Sequence, residues 1–383
     1  MIKILTVVGA RPQIIKAAAL SRAIKNKFAD KVVEKILHTG QHYDANMSEV
    51  FFLEMGIPMP HYNLNVGSGK HGEQTAKMIS AIEKVLLEEE FDAVILFGDT
   101  NSTLAGAIAA SKIHVPVVHI EAGLRSFNMS MPEEINRIVC DQLSTILFAP
   151  TETAIVNLKH EGFLDSKARF VGDKQRRVYN SGDIMYDNSL YFASIAEQKT
   201  DIIQRLGLTE EKFVLATIHR DNNTDNPKRL LAIFEALLDI TEKYSVKIVL
   251  PLHPRTRKML QAGEYPELSN RIDNCIQIIP PASFFEIIAL EKNAQIIMTD
   301  SGGVQKEAYF FKRPCVILRP ETEWVEIVEH GAGIIADADK DAIINAYATL
   351  VSRDIEFPAV FGNGSAAEFI VENLTEYYIH GSI

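Results

Sequence analysis

The chain has 383 residues, 47% hydrophobic and 23% charged, ordinary for a water-soluble protein and long enough for two domains with separate cores. A formal net charge of −11 with no basic run argues against a nucleic-acid partner, and no apolar segment reaches membrane-spanning length. Cys140, Cys275 and Cys315 are widely spaced without a CxxC pair, so neither a disulfide framework nor a zinc site is expected; MIKILTVVGARP lacks a signal-peptide pattern, and the cytoplasm is the expected compartment.

In chain order, short apolar runs alternate with amphipathic stretches. Lys3 to Gly9, Glu34 to Gly40, Asp92 to Asp99, Val115 to Gly123 and Thr145 to Thr151 read as strands buried on both faces. Helical stretches lie between them, at Ile14 to Phe28, Gly72 to Glu90 and Thr103 to Ile113. A second series follows, with ARFVGD (168–173), Phe213 to Arg220, Val246 to Pro254, Ile276 to Pro280, Ala294 to Asp300 and Pro314 to Pro320. This is α/β arithmetic: two Rossmann-like, doubly wound domains, 1–175 and 176–362, with the boundary in the polar segment around Asp173 to Asp187. GSGKHG (Gly67 to Gly72) satisfies G-x-G-x-x-G, but HYNLNV before it is not a buried strand, so a loop is expected rather than a dinucleotide fingerprint. There is no Walker A loop, no HExxH and no acidic calcium loop, so no cofactor and no catalytic metal is expected.

In open parallel sheets ligands bind beyond the carboxyl ends of the strands, so residues there are the site candidates. Asp99 follows AVILFG and Glu121 follows VVHI; each is a candidate general base, or else a helix cap or ion-pair partner. Glu133 and Glu134, after Pro132, suit a site carboxylate or a helix first turn equally. His219 ends FVLATI and suits proton transfer or stabilisation of a leaving phosphate; His253 is a weaker candidate. Arg11, Arg125, Arg137 and Arg319 can clamp phosphate through the guanidinium fork or form ordinary salt bridges. At Asp300-Ser301-Gly302-Gly303 a strand runs into a helix start, where unpaired N–H groups and the helix dipole favour an anion; Ser301 as a plain N-cap is the alternative.

Together GARPQIIKAAAL, HTGQHYDANMS, FGDTNST, HIEAGLRS, MPEEINRIVCDQLSTILFAPTE, IHRDNN, LHPRT, TDSGGVQKEA and RPETEW resemble the non-hydrolysing UDP-N-acetylglucosamine 2-epimerase family, in order and over nearly the whole chain. The resemblance implies a glycosyltransferase-B-like fold with two Rossmann-like domains facing a cleft, and a C-terminal helix, 363–383, returning to the first domain. It implies a UDP-sugar substrate, a homodimer, and inversion at C2 by elimination of UDP to a glycal and re-addition. Asp99, Glu121 and Glu133 match the carboxylates of the proton transfers, and His219 matches the catalytic histidine. Ser301, Gly302 and Gly303 match the diphosphate site, Glu307 the ribose ligand, and Arg11 and Lys16 cations on the first domain.

Within the family, GARPQ, HRDNN and PETEW depart from GTRPE, HRREN and Thr-Thr-Glu-Arg-Pro of the common N-acetylglucosamine enzymes. They are similar to the branch acting on UDP-2,3-diacetamido-2,3-dideoxy-D-glucuronate, whose extra carboxylate and acetamido call for new donors, with Arg125, Asn128 and Trp324 as candidates. Arg137, His253, Arg319 and Glu323 complete the expected substrate contacts. Asp44, where self-activating relatives carry Gln or Glu, argues against a second, activating substrate molecule. A glycosyltransferase of the same fold, a hydrolysing epimerase and a nucleotide-sugar sensor are the rival readings; the trio of first-domain carboxylates favours the epimerase.

Overall fold

The structure, a computed structural model, describes residues 1–40, 56–163, 176–252 and 266–380. The chain forms two compact units, Met1–Asn188 with Ala359–Ile383, and Ser189–Pro358. In the first, the strands are β1 (Ile2–Val8), β2 (Val32–His38), β3 (Tyr62–Asn63), β4 (Ala93–Phe97), β5 (Val117–Ile120), β6 (Ile146–Ala149) and β7 (Arg177–Asn180). They form one parallel sheet in the order β3-β2-β1-β4-β5-β6-β7. The second unit has β8 (Phe213–Thr217), β9 (Lys247–Pro251), β10 (Ile276–Ile279), β11 (Ile296–Thr299), β12 (Cys315–Ile317) and β13 (Gly333–Ile335), parallel in the order β10-β9-β8-β11-β12-β13. The expectation of two doubly wound α/β halves is borne out. Its cause is visible in β4, β6, β8 and β11, buried at every residue because helices cover both faces of the sheet.

Strand order reverses between β1 and β4 in one unit and between β8 and β11 in the other, and such switch points open the crevice where ligands bind. The first switch point is pinned by Gln13. Its Oε1 accepts from the Gly9 and Ala10 N–H groups at 2.9 and 3.2 Å, and its Nε2 donates to the Phe97 carbonyl at 2.9 Å and Thr103 Oγ1 at 3.0 Å. This cap, with Pro12 preorganised for a first turn, starts the helix at Arg11 rather than Ile14. It runs to Ala23 and continues as a π-helical turn, Ile24–Phe28.

Of HYNLNV only Tyr62–Asn63 pairs, as a short edge strand, and the next helix, His71–Glu88, begins directly after Lys70. The strand expected at ARFVGD lies outside the described residues, whereas β7 was not anticipated: RVYN reads as too polar for a strand until its place at the sheet edge is known. The last helix, Ala366–His380, belongs to the first unit. The Asp187 carboxylate caps it, accepting from the Ala366 and Ala367 N–H groups at 3.0 and 2.7 Å, and Tyr378 Oη donates to the Asp92 carbonyl at 2.6 Å. Among the described residues no helix is long and apolar enough to cross a membrane.

Candidate active site

In the first unit a pocket of about 460 Å³ opens at the switch point, lined by Ala10, Arg11, His71, Asp99, Glu133 and Asn136 among others. Asp99 sits just past β4 and is not the cap of the following helix. Thr100 takes that role, its Oγ1 accepting from the Thr103 N–H at 3.3 Å, which leaves the Asp99 carboxylate for the pocket. Arg137 pairs with Asp99 through one guanidinium nitrogen and with Glu134 through another. Burial pushes the Asp99 pKa up, the Arg137 cation pulls it back and Glu121 pushes it up again; the net shift is upward.

Glu121 follows β5 in the left-handed region, at φ +76°, a conformation that costs a non-glycine residue about 1–3 kcal/mol and is tolerated where the surroundings fix it. Here the Glu121 and Ala122 N–H groups both bond the Phe148 carbonyl at 3.0 Å, and the carboxylate pairs with the buried Lys16 ammonium. Gly98 makes room for this pair. A Cβ there would stand 3.1 Å from Glu121 Oε2 and 3.4 Å from Lys16 Nζ, on a backbone at φ +60°.

Beside Gly98 lies a buried ionic cluster. Asp141, fully buried, receives His119 Nδ1–H at 2.6 Å, the Arg125 guanidinium at 2.7 Å and the Gly123 N–H at 3.1 Å. Burial works against a charge on His119, yet the Cys140 sulfur and the Asp141 carboxylate hold its pKa well above the ordinary imidazole value. Each ring nitrogen faces an acceptor, the Asp141 carboxylate at Nδ1 and the Gly98 carbonyl at Nε2, so both can donate, and the 2.8 Å bond from Nε2–H fixes the peptide that precedes Asp99. Arg125 is turned into this cluster, with Glu161 bound across its Nε and Nη2 at 2.6 and 2.7 Å, and does not line the pocket. Asn128 lies in an exposed turn, accepting from Ser130, and Glu134 faces inward onto the Ser126 and Phe127 N–H groups.

In the second unit Asp300 ties the two switch-point strands together. Fully buried, it accepts from the His219 and Arg220 N–H groups at 3.2 and 3.1 Å and from Asn223 Nδ2 at 3.1 Å. Burial would raise its pKa, but these bonds and the His219 ring hold it below the ordinary value. His219 Nδ1 stands 3.1 Å from Asp300 Oδ1, so Nδ1–H donates inward and Nε2 is presented on a side chain 59% exposed. Ser301 caps the helix Gly302–Phe310, its Oγ accepting from the Val304 N–H at 3.4 Å, while the Gly303 backbone is exposed. Gly302 is packed tightly: a Cβ there would lie 2.4 Å from Glu323 Oε1, and Glu323 itself pairs with Arg319 at 3.0 Å. Glu307 lies one turn further along this helix, beside the buried Glu291 carboxyl, whose pKa is raised well above the ordinary value by burial and by Glu307.

The structure thus brings Arg11, Lys16, Asp99, Glu121, Glu133 and Arg137 to one switch point, and His219, Ser301, Gly302, Glu307, Arg319 and Glu323 to the second unit. His253, Asp44 and the rest of QHYDANMS lie outside the described residues. Sequence reasoning missed Gln13, His71, Asn101, His119, Asn136 and Asp141. Gln13 and Asn101 stand just after candidate strand ends and were within its reach; the others become legible only from their partners. Among the described residues no group of three or more His, Cys, Asp or Glu side chains is arranged to hold a metal.

The model of the family described as UDP-N-acetylglucosamine 2-epimerase matches residues 24–375. The UDP-2,3-diacetamido-2,3-dideoxy-D-glucuronate 2-epimerase of Pseudomonas aeruginosa is 48% identical over 375 residues, covering 98% of this chain and 99% of that protein. The UDP-N-acetylglucosamine 2-epimerase of Methanocaldococcus jannaschii is 43% identical, covering 97% of this chain and 99% of that one. Its crystal structure in complex with UDP-GlcNAc and UDP superimposes with a TM-score of 0.80 at 42% identity, covering 98% of this chain and 99% of that chain. With the family model over most of its length, full-length relatives at more than 40% identity and the same fold, the chain belongs to the UDP-N-acetylglucosamine 2-epimerase family.

Proposed function

We propose that this protein is a non-hydrolysing UDP-sugar 2-epimerase that inverts C2 of a UDP-2-acetamido sugar, namely UDP-2,3-diacetamido-2,3-dideoxy-D-glucuronate to its manno isomer. The observation that carries the reading is a single pocket holding Asp99, with its pKa raised, and Glu133. Inversion at C2 needs a proton removed on one face and returned on the other, and a pair of carboxylates meets that need better than one. C2 bears no acidifying carbonyl, so proton removal is coupled to loss of UDP. The C2–H pair becomes the C1=C2 bond of a glycal while the C1–O pair leaves with the diphosphate. A proton then adds to the opposite face, a phosphoryl oxygen returns to C1, and the reaction needs no net oxidant or reductant.

In this reading Asp99, Glu121 and Glu133 manage the proton, with Arg137 paired to Asp99 and Lys16 paired to Glu121, and Arg11 meets negative charge on the substrate. The N-terminus of the helix Gly302–Phe310 would receive the diphosphate, whose developing charge its N–H groups and His219 stabilise. Glu307 would accept from the ribose. The 48% identity to the Pseudomonas aeruginosa enzyme supports the choice of sugar.

The test is to offer UDP-2,3-diacetamido-2,3-dideoxy-D-glucuronate and UDP-N-acetylglucosamine separately and follow the C2 configuration by NMR. Faster inversion of the glucuronate is expected. Preference for UDP-N-acetylglucosamine would move the substrate assignment, and release of free sugar with UDP would replace the reading with a hydrolysing epimerase.

A further inference from the structure

GSGKHG ends beside the pocket: His71 opens the helix His71–Glu88 and lines the same cavity as Asp99 and Glu133. Its tautomer is set by a chain of amides anchored at both ends on backbone carbonyls, which can only accept. At one end Gln74 Nε2 donates to the Gly67 carbonyl at 2.8 Å, so Gln74 Oε1 is the acceptor it turns to Asn101 Nδ2, 3.0 Å away. At the other end Asn136 Nδ2 donates to the Asp99 carbonyl at 2.9 Å and to Asn101 Oδ1 at 3.3 Å. Both anchors agree on the orientation of Asn101, whose Nδ2 is therefore the donor to His71 Nδ1 at 3.2 Å. Nδ1 accepts, and the ring proton resides on Nε2.

Gln74, Asn101 and Asn136 are all buried, whereas the His71 ring is exposed at the pocket. Three buried amides are thus aligned behind one exposed imidazole, and the same chain ends on the carbonyl of Asp99 itself. An arrangement of this kind gives a fixed, uncharged N–H donor next to the carboxylate. Such a donor suits a neutral carbonyl oxygen, since a substrate carboxylate would find a stronger partner in the Arg11 cation of the same pocket.

We infer that His71 is a substrate-binding residue whose Nε2–H donates to the 2-acetamido carbonyl of the sugar, positioning C2 for the pocket carboxylates. The inference rests on the proposed epimerase reading for the identity of the acceptor, and its test separates the two. In the full chain labelled with 15N, the His71 ring resonances should report the Nε2–H tautomer. Addition of UDP-2,3-diacetamido-2,3-dideoxy-D-glucuronate should shift that N–H, and UDP alone should not. His71→Phe should raise KM for the sugar nucleotide about tenfold with a smaller change in kcat, the size expected for one lost hydrogen bond whose acceptor goes unpaired. Asn101→Asp, which turns the donor facing Nδ1 into an acceptor and draws the proton there, should raise KM likewise.

An Nδ1–H tautomer in the wild-type protein, a resonance that the sugar nucleotide leaves unmoved, or an unchanged KM in His71→Phe would each overturn the inference. If the wild type inverts the sugar and His71→Phe keeps its KM, the His71 contact alone is wrong. If the resonance moves but no C2 inversion occurs, the contact stands and the epimerase reading fails.

Discussion

Asp99→Asn should lower turnover by about 10²–10⁴-fold, the span that a positioned general base contributes, while leaving the affinity for UDP intact. The reason for expecting so clean a separation is the division of labour between the units. Asp99 stands at the switch point of the first sheet, and the Ser301 helix start that would hold the diphosphate is built in the second. Asparagine keeps the size of the side chain and removes only the basic oxygen. The pH profile gives a second reading of the same group. A base must be ionised, and burial, together with Glu121, raises the Asp99 pKa against the pull of Arg137, so kcat/KM should fall on the acid side at a pH above the ordinary aspartate value. Arg137→Met should move that limb further upward, because the cation favouring the carboxylate is gone. Normal turnover in Asp99→Asn would remove this carboxylate from the chemistry.

The largest loss of stability is expected from Asp141→Ala. Asp141 is fully buried and bonds both His119 and Arg125, and removing it takes the carboxylate from the buried His119 ring and leaves Arg125 with Glu161 alone. Breaking a buried pair in this way costs about 3–5 kcal/mol, and the urea midpoint of the variant should fall accordingly. The sign of the pH dependence follows from the direction of the shift. Burial raises the Asp141 pKa, but His119 and Arg125 outweigh it, so the carboxyl is held below its ordinary value. Its contribution is present above the unfolded-state value and disappears as pH falls through the folded one, so the gap between wild type and variant should narrow in acid. A gap that widens in acid would contradict this.

Much of this was legible in the chain itself. Continuous apolar runs such as AVILF and FVLAT predict doubly buried parallel strands, and the rule that ligands gather past strand ends picks out Asp99, Glu121, His219 and Ser301. Two kinds of feature were not legible. Edge elements such as β7 have no apolar signature, because one side faces solvent and the pairing alone defines them. Partner choice is also invisible in sequence. Arg125, at a strand end like the others, reads as a candidate sugar contact, yet its guanidinium is used by Asp141 and Glu161. His71 sits in a glycine-rich turn that reads as a loop, and only the amide chain reaching Asn136 shows why it stands where it does.

The most direct test of the central claim is to run the reaction in deuterated water and examine C2 of the inverted UDP-sugar by NMR and mass spectrometry. Elimination and re-addition through a glycal predict that the product carries one solvent deuterium at C2, with UDP still attached. Inversion with the original C2 hydrogen retained would contradict the account, since the carboxylates of the Asp99 pocket would then have no proton to move.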